Sequence, residues 1–408
     1  MISLLAVSSL LFLVSRAMPL ARLCENITTP NVVCINDHAS VLALPFSRDD
    51  GNTASVADFA DTNATDHSFQ LVRNSTFIVY DSRALDILGD TPSVEFALEA
   101  AADKIHEAPV YVPELDAIIF SVFSPDVYPQ SIIYLNHTNP RLETFYSSPP
   151  VWGINGGRYY NGKVYWAVAG DGSFPGPNNE TVEQAPGIYT FDPTNFKSEA
   201  LLNNYYGSKF NSPDDLVIDG NGDVFFTDPW FGWAMGFSTN PVMRTATWRF
   251  SPSTGAATVV ENTLDQPNGI AISPNGKTLY VTDSGVTIES NSFSGIVYNS
   301  TNEHCTYAFS VNESPAGSWL SDKRPIWCTQ SLGHDGLHVA SNGYLVGASG
   351  TGVDVLSEWG ELLLRIEANH TVNNVQFAGA NLDELWLFGQ GGISKVNWNL
   401  KGIAGARS

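Results

Sequence analysis

A polar residue recurs seven positions before a predicted hairpin turn, and few folds accommodate that repeat. Each turn carries an Asn-Gly pair between two short apolar runs, which is one of the stronger local signals for a β-hairpin. Because the offset is fixed, the hairpins are copies of one structural unit. The three clear copies pair Asp214 with Asn221, Asn268 with Asn275, and Asp335 with Asn342.

Weaker copies extend the series to six units. They begin at Glu107, Asn155 and Asn374, and successive units of the six begin about 40 to 70 residues apart. Each unit continues into further strands, which is typical of four-stranded blades with outer loops of variable length. The sequence therefore predicts an all-β, six-bladed β-propeller over residues 71–408, preceded by a signal peptide at 1–17 and an N-terminal arm at 18–70.

The geometry of a propeller places the polar residue of each unit at one mouth of the central channel. The first strand of a blade lines the channel, and the loop after the second strand returns to the same face. Carboxylate and amide oxygens there suit a hard cation, so calcium is the predicted cofactor. For any single position, an Asx turn before a strand is the alternative. The predicted calcium ligands are Glu107, Asp214, Asn268 and Asp335.

Several segments of the repeat also carry a family resemblance. SPDDLVIDGNGDVFFTDP, QPNGIAISPNGKTLYVTDSG and HDGLHVASNGYLV resemble the senescence marker protein / gluconolactonase / luciferin-regenerating enzyme superfamily. FIVYDSRALDILG, HEAPVYVPE and WGINGGRYYNGKVYWA are more narrowly similar to its secreted fungal lactonohydrolases. The resemblance implies a six-bladed propeller, calcium in the channel and hydrolysis of lactones. It places the metal ligands on Glu107, Asp214, Asn268 and Asp335.

Two positions depart from the family pattern. The family usually has Asn-Asp where this chain has Asp214-Asp215, and an added carboxylate should bind calcium more tightly. Alternatively, Asp214 is partly protonated or acts as a base. The sugar-lactone branch carries an arginine where Ser212 stands. The expected substrate is therefore a bulkier or more apolar lactone than a polyhydroxylated aldonolactone.

The predicted reaction is metal-assisted hydrolysis, with Asp335 as the first candidate to activate water and Asp214 as the second. His106 and His334 are further acid–base candidates, for which a structural hydrogen-bonding role is the alternative. Two other classes of function stay open: an isomerase or cyclase of secondary metabolism, and a binding propeller without catalysis. The predicted substrate-binding residues are Asn155, Trp230, Phe231 and Phe123, although the aromatic ones are equally expected to pack between blades.

The start of the chain and its charge bear on compartment and partners. An apolar run ends at Ser15-Arg16-Ala17, as a cleaved signal peptide does, and eight Asn-X-Ser/Thr sequons follow. The sequence therefore predicts a secreted glycoprotein. A net charge of −22 argues against nucleic acid or an anionic membrane as a partner. The expected partner is a small lactone, and the oligomeric state is left open.

Four cysteines allow three pairings. We favour the local bridges Cys305–Cys328 and Cys24–Cys34, with a tie from the N-terminal segment to the fourth unit as the alternative. Residues 77–81 are predicted to form a strand that completes the last blade, and residues 83–104 a short helix.

Overall fold

The computed structural model describes eleven stretches of the chain. The predicted signal peptide, Cys24 and Phe123 lie outside them. The described residues are 31–35, 68–72, 74–101, 105–122, 130–134, 142–235, 238–289, 296–299, 301–315, 317–329 and 333–403.

Within these stretches the chain is almost entirely β-structure, with three short helices. None of these helices has the length or apolar character needed to span a bilayer. The helices are α1 (Ser68–Val72), α2 (Arg83–Leu88) and α3 (Phe231–Ala234). The first fifteen strands are β1 (Val32–Cys34), β2 (Phe77–Val79), β3 (Ser93–Glu99), β4 (Val110–Val112), β5 (Ala117–Ser121), β6 (Gln130–Tyr134), β7 (Leu142–Phe145), β8 (Ile154–Tyr160), β9 (Lys163–Val168), β10 (Gly172–Pro175), β11 (Thr181–Gln184), β12 (Gly187–Asp192), β13 (Lys197–Leu202), β14 (Leu216–Ile218) and β15 (Val224–Asp228). The others are β16 (Ala246–Ser251), β17 (Ala256–Glu261), β18 (Pro267–Ile272), β19 (Thr278–Asp283), β20 (Thr287–Glu289), β21 (Ile296–Tyr298), β22 (Cys305–Ser314), β23 (Gly317–Cys328), β24 (Leu337–Val339), β25 (Leu345–Ala348), β26 (Gly350–Leu356), β27 (Leu362–Val372), β28 (Asn374–Ala378), β29 (Glu384–Gly389) and β30 (Gly392–Asn397).

The strands form a β-propeller, as predicted, but the prediction of six four-stranded blades is wrong. Five blades have four strands, and the remaining large sheet has six, in the order β1-β2-β27-β26-β25-β24. The innermost strands β4, β8, β14, β18, β24 and β28 each contact the next and close a ring. The five blades are β4–β7, β8-β9-β12-β13, β14–β17, β18-β19-β22-β23 and β28-β29-β30-β3.

The N-terminal segments differ most from the sequence prediction. A strand does form at Phe77–Val79, but it pairs with β27 and so enlarges the six-stranded sheet instead of completing the last blade. That blade is completed by β3, which pairs with β30 in the middle of the predicted helix 83–104. Among the described residues of that segment, only Arg83–Leu88 is helical. β3 contains Glu, Ala and Leu, which favour a helix, but it becomes a strand because it pairs with the edge of β30.

The hairpin of β14 and β15 shows why the repeat folds as predicted. The Asp219 carboxylate accepts hydrogen bonds from the backbone N–H groups of Asn221 at 2.8 Å and Asp223 at 3.0 Å. Gly222 has φ +84°, a left-handed conformation that glycine adopts without steric cost. The turn therefore fixes the register that pairs Leu216 with Phe226.

The core lies between the faces of neighbouring sheets. Every residue of β15 and of β18 is buried, because the inner strands have a neighbouring sheet on both sides. Aromatic rings fill the wider spaces: Phe226 stacks on Trp248, and Phe210 meets both rings edge-on. This packing holds the inner strands rigidly around the channel.

The disulfide Cys305–Cys328 is present, which confirms that pairing. The two cysteines lie directly opposite each other on β22 and β23. Cys34 is also disulfide-bonded, while Cys24, its predicted partner, lies outside the described residues.

Removing the Cys305–Cys328 bridge is expected to destabilise the protein. A loop of this size contributes about 3 kcal/mol through the entropy of the unfolded chain. The double substitution C305S/C328S should lower the free energy of unfolding by that order in urea titrations. The control S310A/S321A alters another directly paired position on the same strands and should have a much smaller effect. Equal stability of C305S/C328S and wild type would contradict this expectation.

Candidate active site

The backbone brings the predicted site residues to one end of the inner strands. Asp214 N–H donates to the Thr227 carbonyl at 2.9 Å, and Asp335 N–H donates to the Ala348 carbonyl at 2.9 Å. Glu107 is held in the same way, since its carbonyl accepts from Ser121 N–H at 2.8 Å. In each case the partner lies on the second strand of the same sheet, which fixes the residue at the channel mouth.

Five side chains lie together at this mouth, and we call them the oxygen ring: Glu107, Asn155, Asp214, Asn268 and Asp335. Glu107 and Asn268 lie beside the Asp335 carboxyl and influence its pKa. Asn155 Nδ2 donates to Asp214 Oδ1 at 2.9 Å. The structure therefore brings together all four predicted calcium ligands and the predicted substrate-binding residue Asn155.

The carboxyl groups of the oxygen ring hold excess negative charge away from water. Burial raises the pKa of Glu107 well above its usual value, and the nearby Asp335 and Asp214 carboxylates raise it further. Burial raises the pKa of Asp335 to about 6, although Glu107 and Asn268 oppose the shift. Burial and the neighbouring carboxylates therefore favour the protonated form of Glu107.

Asp214 carries a similar shift. Burial and the Asp335 charge raise its pKa well above normal, while the bond from Asn155 opposes the change. Burial and neighbouring carboxylates thus raise the pKa values of Glu107, Asp214 and Asp335 alike. The oxygen ring therefore favours the binding of protons or of a cation, because either would neutralise its negative charge.

The donor set of the oxygen ring fits a hard cation. Asn155 Oδ1 is buried and has no hydrogen-bond partner, although Nδ2 of the same amide is bonded. A buried carbonyl oxygen left unpaired costs roughly 1–3 kcal/mol, which a cation would offset. The donors are all carboxylate or amide oxygens, the type that calcium prefers. Within the described stretches, however, no three His, Cys, Asp or Glu side chains are arranged as a ready metal site.

Asp215 has a different task from its neighbour Asp214. Its carboxylate accepts from the N–H groups of Leu216 at 2.8 Å and Ile270 at 3.1 Å. It also pairs at 3.3 Å with Arg158, and both side chains are about 95% buried. Asp215 thus joins three inner strands below the oxygen ring. Arg158 was missed from the sequence, where its only signal is a charge three residues after Asn155 in an otherwise uncharged strand.

Two further aspartates missed from the sequence shape the loops around the site. Asp228 accepts from the N–H groups of Asn211 and Ser212, and Asp283 accepts from those of Asp265 and Gln266. Each lies at the end of a second strand and clamps the loop that leads into the first strand of its own blade. The signal was available, since Thr-Asp recurs at the same repeat position.

The two candidate acid–base histidines lie beside the oxygen ring. His334 is buried, and its ring nitrogens contact Asp354 Oδ2 at 3.0 Å and Thr306 Oγ1 at 3.2 Å. Arg365 contacts the other oxygen of Asp354 at 3.0 Å. His106 is also buried, and burial lowers its pKa to about 4, so it is neutral at neutral pH. Both ring nitrogens of His334 are therefore engaged by neighbouring side chains, which matches the structural hydrogen-bonding role.

Aromatic side chains and two inserted hairpins surround the same mouth. Phe231 is buried in α3, and Trp230 Nε1 donates to the Met243 carbonyl at 3.3 Å. The hairpins β10–β11 and β20–β21 leave from the ends of second strands and so rise beside the oxygen ring. Trp152, missed from the sequence, packs against Phe174 of the first hairpin with ring centroids 4.9 Å apart.

The fold and the site together define a class of protein: a β-propeller whose channel mouth is lined with carboxylate and amide oxygens. Residues 105–388 match the model of the SMP-30/Gluconolactonase/LRE-like region, and the chain belongs to that family. It is 40% identical to lactonohydrolase oryL of Aspergillus oryzae, over 93% of this chain and 88% of that protein.

Solved structures confirm the fold. A gluconolactonase from Xanthomonas campestris superposes with a TM-score of 0.62 at 21% identity, covering 78% of this chain and 94% of that one. Regucalcin from Agrobacterium tumefaciens, described as a calcium-binding protein, superposes with a TM-score of 0.53 at 12% identity, covering 78% and 97%.

Proposed function

We propose that the protein is a lactone hydrolase whose active site is the oxygen ring. The observation that carries the proposal is the grouping of three carboxyl and two amide side chains at the channel mouth, where the carboxyl groups shift one another's pKa. Relatives support the reaction class, since the 40%-identical protein is a lactonohydrolase. The comparisons do not favour the isomerase, cyclase or binding-propeller alternatives.

We propose calcium as the cofactor, held by Glu107, Asp214, Asn268 and Asp335, with the free Oδ1 of Asn155 as a fifth oxygen. When bound, the ion supplies polarisation of the lactone carbonyl and stabilisation of the developing oxyanion. Regucalcin, a structural neighbour, is a calcium-binding protein.

The proton transfers fall to Asp335. As a carboxylate of the oxygen ring, it can accept a proton from the attacking water. The water oxygen bonds to the carbonyl carbon, and the carbon–oxygen bond of the ring breaks. The proton held by Asp335 then passes to the departing alkoxide, which yields the hydroxy acid.

The substrate class follows from the lining of the mouth. Ser212 is fully buried; its hydroxyl donates to the Pro229 carbonyl at 2.7 Å and accepts from Gly232 N–H at 3.1 Å. Its hydroxyl is therefore committed within the protein. With Trp152 and Phe174 beside the mouth, the proposed substrate is a lactone with an apolar substituent.

A lactone panel tests the function directly. The enzyme should open lactones with alkyl or aryl substituents faster than aldonolactones of the same ring size, and a chelator should abolish turnover. Hydrolysis is measured by acid release at constant pH. Failure to open any lactone with calcium in excess would reject the proposal.

Calcium binding is expected to strengthen as the pH rises from about 5.5 to 7.5. The raised pKa values of Glu107, Asp214 and Asp335 mean that protons occupy the ring at the lower pH and compete with the ion. Titration calorimetry in buffers of different ionisation enthalpy should show proton release on binding. An affinity independent of pH, with no protons released, would exclude the ring as the calcium site.

We also propose that the protein is secreted, on the basis of its N-terminal apolar run, its sequons and its disulfides. The mature chain is expected to begin near Met18. Mass spectrometry of the exported protein should find glycans on sequons such as Asn312 and Asn369.

A further inference from the structure

Trp230 is an aromatic residue at the channel mouth that keeps an accessible surface. It lies two residues after the end of β15 and directly before α3, so it belongs to a loop on the face of the oxygen ring. Its side chain is partly exposed, whereas Phe231, Trp152 and Phe174 are only 6%, 7% and 8% exposed. A molecule bound at the oxygen ring can therefore reach Trp230 more readily than the other three.

The two segments that lead into neighbouring members of the oxygen ring hold the backbone around Trp230. Ser212, two residues before Asp214, donates its hydroxyl at 2.7 Å to the carbonyl of the residue that precedes Trp230. Gln266, two residues before Asn268, accepts from the Trp230 N–H through its side-chain Oε1 at 2.9 Å. Two residues of chain span at most roughly 7 Å, so both anchors lie within that distance of a ring member.

Gln266 is itself fixed on both sides. Its N–H donates to Asp283 Oδ1 at 2.8 Å, and its carbonyl accepts from Ser284 N–H at 2.9 Å. The residue is buried, and its side chain crosses from the sheet of β18 to the loop that follows β15. Because these bonds hold the backbone of Gln266, its amide oxygen offers the Trp230 N–H a single position.

The indole of Trp230 is also held at its far end. Its Nε1 donates to the Met243 carbonyl at 3.3 Å, and the Met243 N–H donates to Asn211 Oδ1 at 3.4 Å. One hydrogen bond at the backbone and one at the ring keep the side chain in one orientation. The single polar atom of the indole is already bonded, so the rest of the ring is apolar carbon. Such a surface gains free energy when it covers apolar groups.

We propose that Trp230 determines the substrate specificity of the oxygen ring and that Gln266 is its positioning residue. The apolar substituent of the lactone lies against the exposed surface of the indole while the ester of the same molecule lies at the oxygen ring. Gln266 does not touch the substrate and acts by holding the Trp230 backbone. This inference rests on the proposed lactonase function and adds the residue that recognises the substituent.

Two lactones with the same ring test Trp230: δ-valerolactone, and δ-decalactone, which carries an added pentyl chain. In W230A the ratio of kcat/KM for δ-decalactone to that for δ-valerolactone should fall roughly tenfold, the usual worth of a small apolar contact. Because the contact is present in the ground state and the transition state alike, the fall should come from a higher KM for δ-decalactone. A wild-type ratio in W230A would overturn the assignment of Trp230.

A double-mutant cycle tests Gln266. Q266L removes the acceptor without truncating the indole and should lower the same ratio roughly fivefold, within the worth of one hydrogen bond. Added to W230A, Q266L should lower the ratio no further, because Gln266 acts through Trp230. The control Q376L makes the same change at a buried glutamine of β28 and should keep the wild-type ratio. A wild-type ratio in Q266L, or a further fall in the double variant, would overturn the positioning role.

These outcomes separate the inference from the proposed function. If the protein opens both lactones and the ratio stays at the wild-type value in W230A and Q266L, the protein is a lactonase in which Trp230 does not recognise the substituent. If it opens no lactone with calcium in excess, the proposed function is rejected, and the role of Trp230 is rejected with it.

Discussion

The substitution D335N is expected to reduce lactone hydrolysis by roughly two to four powers of ten, the usual worth of a positioned general base. An amide oxygen still coordinates calcium, so much of the metal should be retained. The Asp335 carboxyl also lies beside Glu107 and Asn268, and an amide preserves the shape of the side chain there. Loss of rate with bound metal would therefore identify the proton acceptor.

The matched control is D214N, which restores the ordinary family residue at a neighbouring ring position. It should weaken calcium binding and keep substantial activity when calcium is in excess. Full activity of D335N together with an inactive D214N would show that Asp214, and not Asp335, is the general base. Full activity of both variants would show that the oxygen ring takes no part in the reaction.

Replacing Arg158 is expected to have the largest effect on stability. R158M leaves the Asp215 carboxylate buried without its counter-charge and deprives three carbonyls of their donor. Breaking a buried ion pair from one side costs about 3–5 kcal/mol, measured as the free energy of unfolding in denaturant. A loss below about 1 kcal/mol, the worth of an exposed pair, would contradict this account of Arg158.

The pH dependence of R158M is a second readout. Burial already raises the pKa of Asp215, and Arg158 opposes that shift. Without Arg158 the folded state favours protonated Asp215 more strongly than the unfolded state does. The loss in free energy of unfolding relative to wild type should therefore be largest above neutral pH and become smaller as the pH falls. R158M/D215N removes both charges and should recover part of the loss.

The local parts of the fold could be predicted because the signals for them are local. The turn at Asn221-Gly222 and the apolar runs on either side define β14 and β15, and the fixed offset places Asp214 at the channel mouth. The oxygen ring was predicted for the same reason, since the repeat carries Glu107, Asn268 and Asp335 to equivalent positions. The structure then showed that Asn155 belongs to the same network.

The remaining features depend on contacts that are distant in sequence. The segment of β3 has helix-forming residues, and only the free edge of β30 makes it a strand. The strand at Phe77–Val79 was recognised, but nothing local specifies that β27 is its partner. Arg158 reaches acceptors on three other inner strands, and a single strand sequence does not record where those acceptors lie.

The pairing of β3 with β30 has a consequence for synthesis. Asn397 Nδ2 donates to Ser93 Oγ across a separation of 304 residues, within the strand pair that completes the last blade. A nascent chain cannot make this contact until almost all of it has left the ribosome. Until then the β3 segment has no partner and exposes an edge that invites aggregation. The last blade of this propeller should therefore close only after the C-terminal strands have emerged.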